Sequence, residues 1–158
     1  MLYTKSFCNK LETWCNSIGL PNITVTLTDT FSYNYGNGNI TFGMYEDEGI
    51  SKQFEQFLYE NGSNYYNLLY PVMSFLHEVG HSFTLNAFSE QELFIYSIIA
   101  DSCDTNFEYW LVPTEFSANI WTINFINNNI DKVEELTNIM YENINEVSAE
   151  YFNENSTI

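Results

Sequence analysis

The chain has 158 residues, a length that suits one compact domain able to bury a sizeable core without disulfide staples. Hydrophobic residues make up 45% and aromatic residues 18%, which excludes a disordered composition. Four Lys and Arg stand against 21 Asp and Glu, and the net charge of -17 argues against binding to nucleic acid or to an anionic membrane, leaving a basic protein as the partner that charge favours.

In chain order, Leu2 to Ile18 reads as an amphipathic helix, with Leu2, Phe7, Leu11, Trp14, Cys15 and Ile18 at helical intervals and Gly19-Leu20-Pro21 as its stop. Asn22 to Thr28 alternates and is rich in β-branched residues, the pattern of a half-buried strand. Phe31 to Tyr35 and Ile40 to Tyr45 flank an Asn-Gly turn signal and read as a hairpin. Lys52 to Glu60 is a helix with Phe54, Phe57 and Leu58 on one side. A further helix begins near Pro71, or near Asn64 with a kink at the proline, and runs to about Leu85. Ser89 to about Ala100 opens with a capping-box pair, Ser89 and Glu92. Pro113 to Asn127 and Asp131 to Phe152 complete the helices, with Asn127-Asn128-Asn129 as the turn between them.

Cys8, Cys15 and Cys103 form no disulfide framework, and Cys8 and Cys15, seven apart, read as two small buried apolar residues. The start of the chain lacks the apolar core of a signal peptide, and no apolar run approaches a membrane span. A cytoplasmic location is the expectation that follows.

The chemistry concentrates in His77-Glu78-Val79-Gly80-His81, which holds the only two histidines of the chain. Histidines four apart on a helix share one face, so both imidazoles can converge on one zinc ion. Glu78 is then placed as a general base for a water activated by the metal. A catalytic zinc takes three protein ligands, and with no third histidine the third is a carboxylate: Glu90, Glu92, Asp101, Asp104, Glu108 or Glu115. Glu115 is preferred, because it is the one ionisable group in the apolar helix start Pro113 to Trp121; Asp101, Asp104 and Glu108 remain open. Asn119, four residues on, lies on the same helix face and can accept a hydrogen bond from the outer ring N–H of a ligand histidine. An oxyanion stabiliser would have to be a tyrosine; Tyr96, Tyr109 and Tyr141 are the candidates.

His77-Glu78-x-x-His81 followed by Glu115-x-x-Ala118-Asn119 resembles the gluzincin metallopeptidases, and within them is similar to the compact ImmA/IrrE-type enzymes. The resemblance covers roughly residues 70 to 125. It implies that His77, His81 and Glu115 bind Zn2+, that Glu78 is the catalytic base, and that Asn119 supports a ligand histidine. The thermolysin-like pattern has Asp in place of Asn119, and the long gap between His81 and Glu115 implies an inserted helix at Ser89 to Ala100. No helix-turn-helix accompanies the motif. Gluzincins place an edge strand beside the active helix for the substrate backbone, and Ile40 to Tyr45 is the local candidate, with an ordinary core strand as its other reading.

The expected fold is α+β: a small N-terminal antiparallel or mixed sheet of about three strands packed on a mainly helical zincin-like domain, with residues 1–158 as a single domain. The expected function is that of a zinc-dependent metalloendopeptidase acting on a polypeptide. The alternative is a catalytically silent zincin-like protein or an acidic binding or inhibitor protein that mimics nucleic acid.

Overall fold

The computed structural model describes residues 2–65 and 67–155. In chain order it holds α1 (Leu2–Ser17), β1 (Thr24–Thr28), β2 (Ser32–Asn34), β3 (Asn39–Gly43), α2 (Glu48–Glu60), α3 (Tyr70–Thr84), α4 (Glu90–Asp101), α5 (Asn106–Leu111), α6 (Pro113–Asn128) and α7 (Ile130–Glu154), with one 3-10 turn at Leu85–Ala87. The class is α+β: mostly helix, with one small mixed sheet. No helix among the described residues is long and apolar enough to cross a membrane. By contacts the chain divides into two compact units, one of residues up to Tyr45 together with those from Asp131 on, the other Glu46–Ile130.

In the first unit the sheet order is β1-β3-β2. β2 and β3 form the expected antiparallel hairpin, with Tyr33 opposite Ile40. Its four-residue loop is closed by Gly38, whose φ of 71° suits glycine and whose N–H reaches the Asn34 carbonyl at 2.9 Å. β1 then pairs parallel with β3, Val25 opposite Ile40. This corrects the reading of Ile40 to Tyr45 as an edge strand. β3 is central, both sides of its backbone are taken by neighbouring strands, and Ile40 and Phe42 are 0% and 1% exposed. Two edges remain, at β1 and β2. At β1 the Glu12 carboxylate takes the Val25 N–H at 2.8 Å.

The helices of this unit bury most of the stripes that periodicity marks, with Ile18 and Ile144 of those stripes half-buried. The buried stripe residues on α1 are Phe7, Leu11, Trp14 and Cys15, and on α7 Val133, Leu136, Met140, Val147 and Tyr151. Leu2, expected in the α1 stripe, is instead 77% exposed. Phe7 meets Phe42 edge-on, with ring centroids 5.1 Å apart, and the Trp14 indole donates to the Lys132 carbonyl at 2.9 Å. Gly43 is needed for space: a Cβ there would lie 2.7 Å from the Phe31 backbone nitrogen. Cys8, Cys15 and Cys103 are free thiols, and burial, aided by the charge of Glu12, pushes Cys15 up to about 12.

In the second unit α2 starts one turn earlier than expected, because the Asp47 carboxylate caps the Ile50 N–H at 3.0 Å. Phe54, Phe57 and Leu58 of α2 join Met73, Trp110 and Ile123 in one core cluster. α3 begins at Tyr70 with Pro71 in its first turn, where the missing N–H costs nothing. α4 carries the complete capping box, Ser89 accepting from Glu92 N–H and Glu92 accepting from Ser89 N–H. α6 runs to Asn128, so of the three asparagines expected in a turn only Asn129 lies outside a helix.

Candidate metal centre

The packing of α3 on α6 builds the site. The two helices close at Gly80 and Ala118, where a Cβ on Gly80 would lie only 2.8 Å from the Ala118 carbonyl oxygen. On α3 the spacing of four puts His77 and His81 one turn apart, with ring centroids 4.7 Å apart. On α6 Glu115 lies in the first turn and Asn119 one turn further along. The facing surfaces are apolar, so all of these polar groups are buried: His77, Glu78 and His81 at 7–8% exposure, Glu115 at 9% and Asn119 at 0%.

Both Nε2 atoms converge on one carboxylate oxygen. His77 Nε2 lies 3.0 Å and His81 Nε2 3.2 Å from Glu115 Oε1. Among the described residues, His77, His81 and Glu115 form the group able to hold a metal ion, with one donor atom from each within 4.8 Å of the others. The outer nitrogen of His77 is also occupied, with Nδ1 2.7 Å from Asn119 Oδ1. The Asn119 amide is oriented in turn, because its Nδ2 donates to the Trp110 carbonyl at 3.2 Å. Oδ1 therefore faces His77, and Nδ1 is the protonated nitrogen. Nε2 then points at a carboxylate oxygen, which when ionised can only accept, so a proton on Nε2 or a metal ion between the two satisfies the pair.

The donor set fits zinc. Neutral imidazole nitrogens and a carboxylate oxygen are ordinary zinc ligands, and donors about 2.1 Å from one tetrahedral ion are separated by about 3.4 Å, close to the spacing of the His77 and His81 nitrogens from Glu115. Three protein donors would leave the fourth position open to water.

The side chains of the site also shift one another's titration. Burial alone would push His77 down. The hydrogen bond to Glu115, the charges of Glu78 and Glu115, and Asn119 outweigh it and raise His77 to about 9. Glu115 is buried, which opposes its charge, yet hydrogen bonds and charge from the two histidines hold it well below the usual carboxylate range. Glu78 moves the other way. Burial raises it, the histidines lower it by less, and Glu115 adds to the rise.

The other sequence candidates for the third ligand are engaged elsewhere or lie in solvent. Glu92 closes the α4 capping box. The Glu108 carboxylate accepts from Asp104 N–H at 3.1 Å. Glu90, Asp101 and Asp104 are exposed. Of the three tyrosines, Tyr109 is the one whose titration the Glu115 carboxylate shifts. Partial burial, the charge of the Glu115 carboxylate, and the charges of Glu78 and Asp101 hold its phenol well above the usual tyrosine value, although 38% of the residue is exposed. Tyr96 packs edge-on against Phe88, and Tyr141 is 65% exposed on α7.

Sequence reasoning did not find α5 or the role of Trp110. The α5 start carries a signal, Thr105 accepting from Glu108 N–H, in the same pattern as Ser89 and Glu92. The Trp110 carbonyl that orients Asn119 is a backbone group and has no sequence signature. Comparison of the chain with protein families, curated proteins and solved structures finds no match.

Proposed function

We propose that the protein is a zinc-dependent hydrolase, of gluzincin type, that cleaves a polypeptide in the cytoplasm. The observation that carries the reading is the convergence of His77 Nε2 and His81 Nε2 on Glu115 Oε1, with Asn119 fixing the ring behind. His77, His81 and Glu115 would hold the ion. Bound there, zinc supplies a Lewis acid that acidifies water and polarises a carbonyl.

The chain's own residues supply the rest. Asn119 keeps His77 in the tautomer that presents a lone pair to the ion. Glu78, the neighbour of one ligand and raised by burial, takes the proton of the attacking water and returns it to the leaving amine. A base with an elevated pKa suits this work near neutral pH, because it must both accept and release the proton. Tyr109, held protonated beside Glu115, is the O–H donor for the oxygen that gains negative charge. The apolar packing around the triad keeps bulk water away and strengthens each of these interactions.

Elemental analysis of the wild type and of Glu115→Ala tests the reading. The wild type, supplied with zinc, is expected to hold about one ion per chain and the variant to lose most of it. A wild type that takes up no zinc would sink the proposal. Zinc retained in full by Glu115→Ala would remove Glu115 from the ligand set.

A further inference from the structure

α4 is apolar on two sides, and only one of them is covered. Leu93, Tyr96 and Ala100 are half-buried along one side. On the opposite side Phe94, Ile95, Ile98 and Ile99 are 67%, 53%, 52% and 44% exposed, and no residue of the helix is buried. The exposure is not that of a fraying end, since both hydrogen bonds of the capping box hold the N-terminus and Ser102 N–H returns to the Ile99 carbonyl at the other end. At about 100° per residue, Phe94, Ile98, Ile95 and Ile99 form one continuous stripe. Glu90 and Asp101 fall along one flank of that stripe and Glu92 along the other. A helix apolar all round is built to be covered all round, and an apolar patch rimmed by polar groups marks an interaction surface.

The charges say what kind of occupant fits. Between Lys52 and Lys132 the chain contains no Lys or Arg, so beyond Lys52 and the buried histidines that face Glu115 nothing in this unit offsets its carboxylates. A second copy of α4 would set Glu90, Glu92 and Asp101 against their own kind, and an anionic lipid surface would be repelled in the same way. Lys and Arg answer both features at once. Their aliphatic stems can lie over Ile95 and Ile99 while their charged heads reach the flanking carboxylates.

We propose that the exposed face of α4 is a docking surface for a basic amphipathic polypeptide segment, one with apolar side chains at helical spacing flanked by Lys or Arg. The twelve residues of α4 span about 18 Å, enough to seat roughly three turns of a helical partner. None of the exposed stripe residues belongs to the His77, His81, Glu115 triad, so the surface stands whether or not the site is catalytic.

The test is fluorescence anisotropy on the full chain. The probe is a labelled peptide of about 18 residues, built of Leu and Lys with Leu at helical spacing. A scrambled isomer and a Leu/Glu counterpart serve as controls. The Leu/Lys peptide is expected to bind, the scrambled isomer at least roughly tenfold more weakly, and the Leu/Glu peptide not at all. Affinity should fall by roughly tenfold or more in Ile95→Ser/Ile98→Ser and in Glu92→Gln/Asp101→Asn, and should weaken as salt is raised. All four substituted positions are exposed, and unchanged circular dichroism would show that the fold survives. Wild-type affinity in the Ile95→Ser/Ile98→Ser variant would overturn the proposal by moving binding elsewhere. Equal binding of the Leu/Glu peptide would overturn its charge requirement. A wild-type dimer in sedimentation that dissociates in the isoleucine variant would assign the face to a second copy instead. Association with neutral phosphatidylcholine vesicles, lost in the same variant, would assign it to lipid.

Discussion

His77 Nδ1 and Asn119 Oδ1 lie 2.7 Å apart with neither exposed to solvent, and this contact sets the chemistry of the opposite nitrogen. Asn119 is neutral, so it orients the ring without placing a second carboxylate behind it. Replacing it by Ala leaves a buried N–H and the Trp110 carbonyl without this partner. That costs about 1–3 kcal/mol in stability and about 10–100-fold in zinc affinity. Asn119→Asp should preserve the bond to His77 and lose the donation to Trp110, so its zinc affinity is expected to exceed that of the Ala variant. Competition titrations with a chelator measure both. Equal affinities in wild type and Asn119→Ala would show that the ring needs no support from behind.

Glu78→Gln separates catalysis from metal binding. The amide keeps the size of the side chain and removes the proton acceptor. Zinc content is expected to stay at the wild-type level, while cleavage of a mixed set of quenched fluorescent peptides falls about 10²–10⁴-fold. Loss of zinc in this variant would make Glu78 a ligand or a structural partner instead. A wild type that holds zinc and cleaves nothing, with binding to a protein partner intact in Glu78→Gln, would favour the acidic binding protein.

Zinc uptake should depend on pH through His77. The ring is raised from 6.5 to about 9 in the metal-free protein, so at neutral pH it carries a proton that the ion must displace. The sign follows directly. Apparent zinc affinity rises with pH up to about 9 and levels off above it, by at most about one decade per pH unit from this group. In the metal-free fold the same shift contributes stability that is present below pH 6.5 and is lost as pH rises through about 9. Calorimetric titration in two buffers of different ionisation enthalpy should find about one proton released per zinc at pH 7. A flat affinity between pH 6.5 and 9 would mean that Nε2 carries no proton before the metal arrives.

The local parts of this architecture were readable in the sequence and the long-range parts were not. The histidine pair, Glu115 with Asn119 and the Ser89–Glu92 capping box are all encoded at spacings of three or four, which a helix turns into a shared face or a local contact by its own geometry. That α3 and α6 face each other was legible only indirectly, through a carboxylate set in an apolar helix start. The place of β3 in the sheet was not legible. An Asn-Gly hairpin says that β2 and β3 pair, while the parallel pairing of β1 is a contact between distant residues that leaves no local mark. The outward stripe of α4 escaped for a related reason. Its apolar residues look like any core helix until the structure shows which side has something packed on it.

Gly80 makes the sharpest prediction about the frame of the site, because two effects oppose each other there. By helix propensity alone, Gly80→Ala should stabilise α3 by about 1 kcal/mol. The added Cβ, however, would sit 2.8 Å from the Ala118 carbonyl oxygen, 3.2 Å from the Ala118 Cα and 3.2 Å from the Trp121 ring. The first two neighbours are backbone of α6 and cannot rotate away. The helices must separate, at a cost of about 1–3 kcal/mol for overpacking, and the steric cost is expected to win. The consequence reaches the metal centre, since His77 and His81 sit on one side of this contact and Glu115 on the other. A lower thermal midpoint together with weaker zinc binding is the expected outcome for Gly80→Ala, with Ser82→Ala as a control on the same helix. A lower midpoint with wild-type zinc affinity would show that the triad closes on the ion without needing the tight approach of α3 and α6. A higher midpoint would mean that propensity outweighs the contact and that the two backbones are free to move apart.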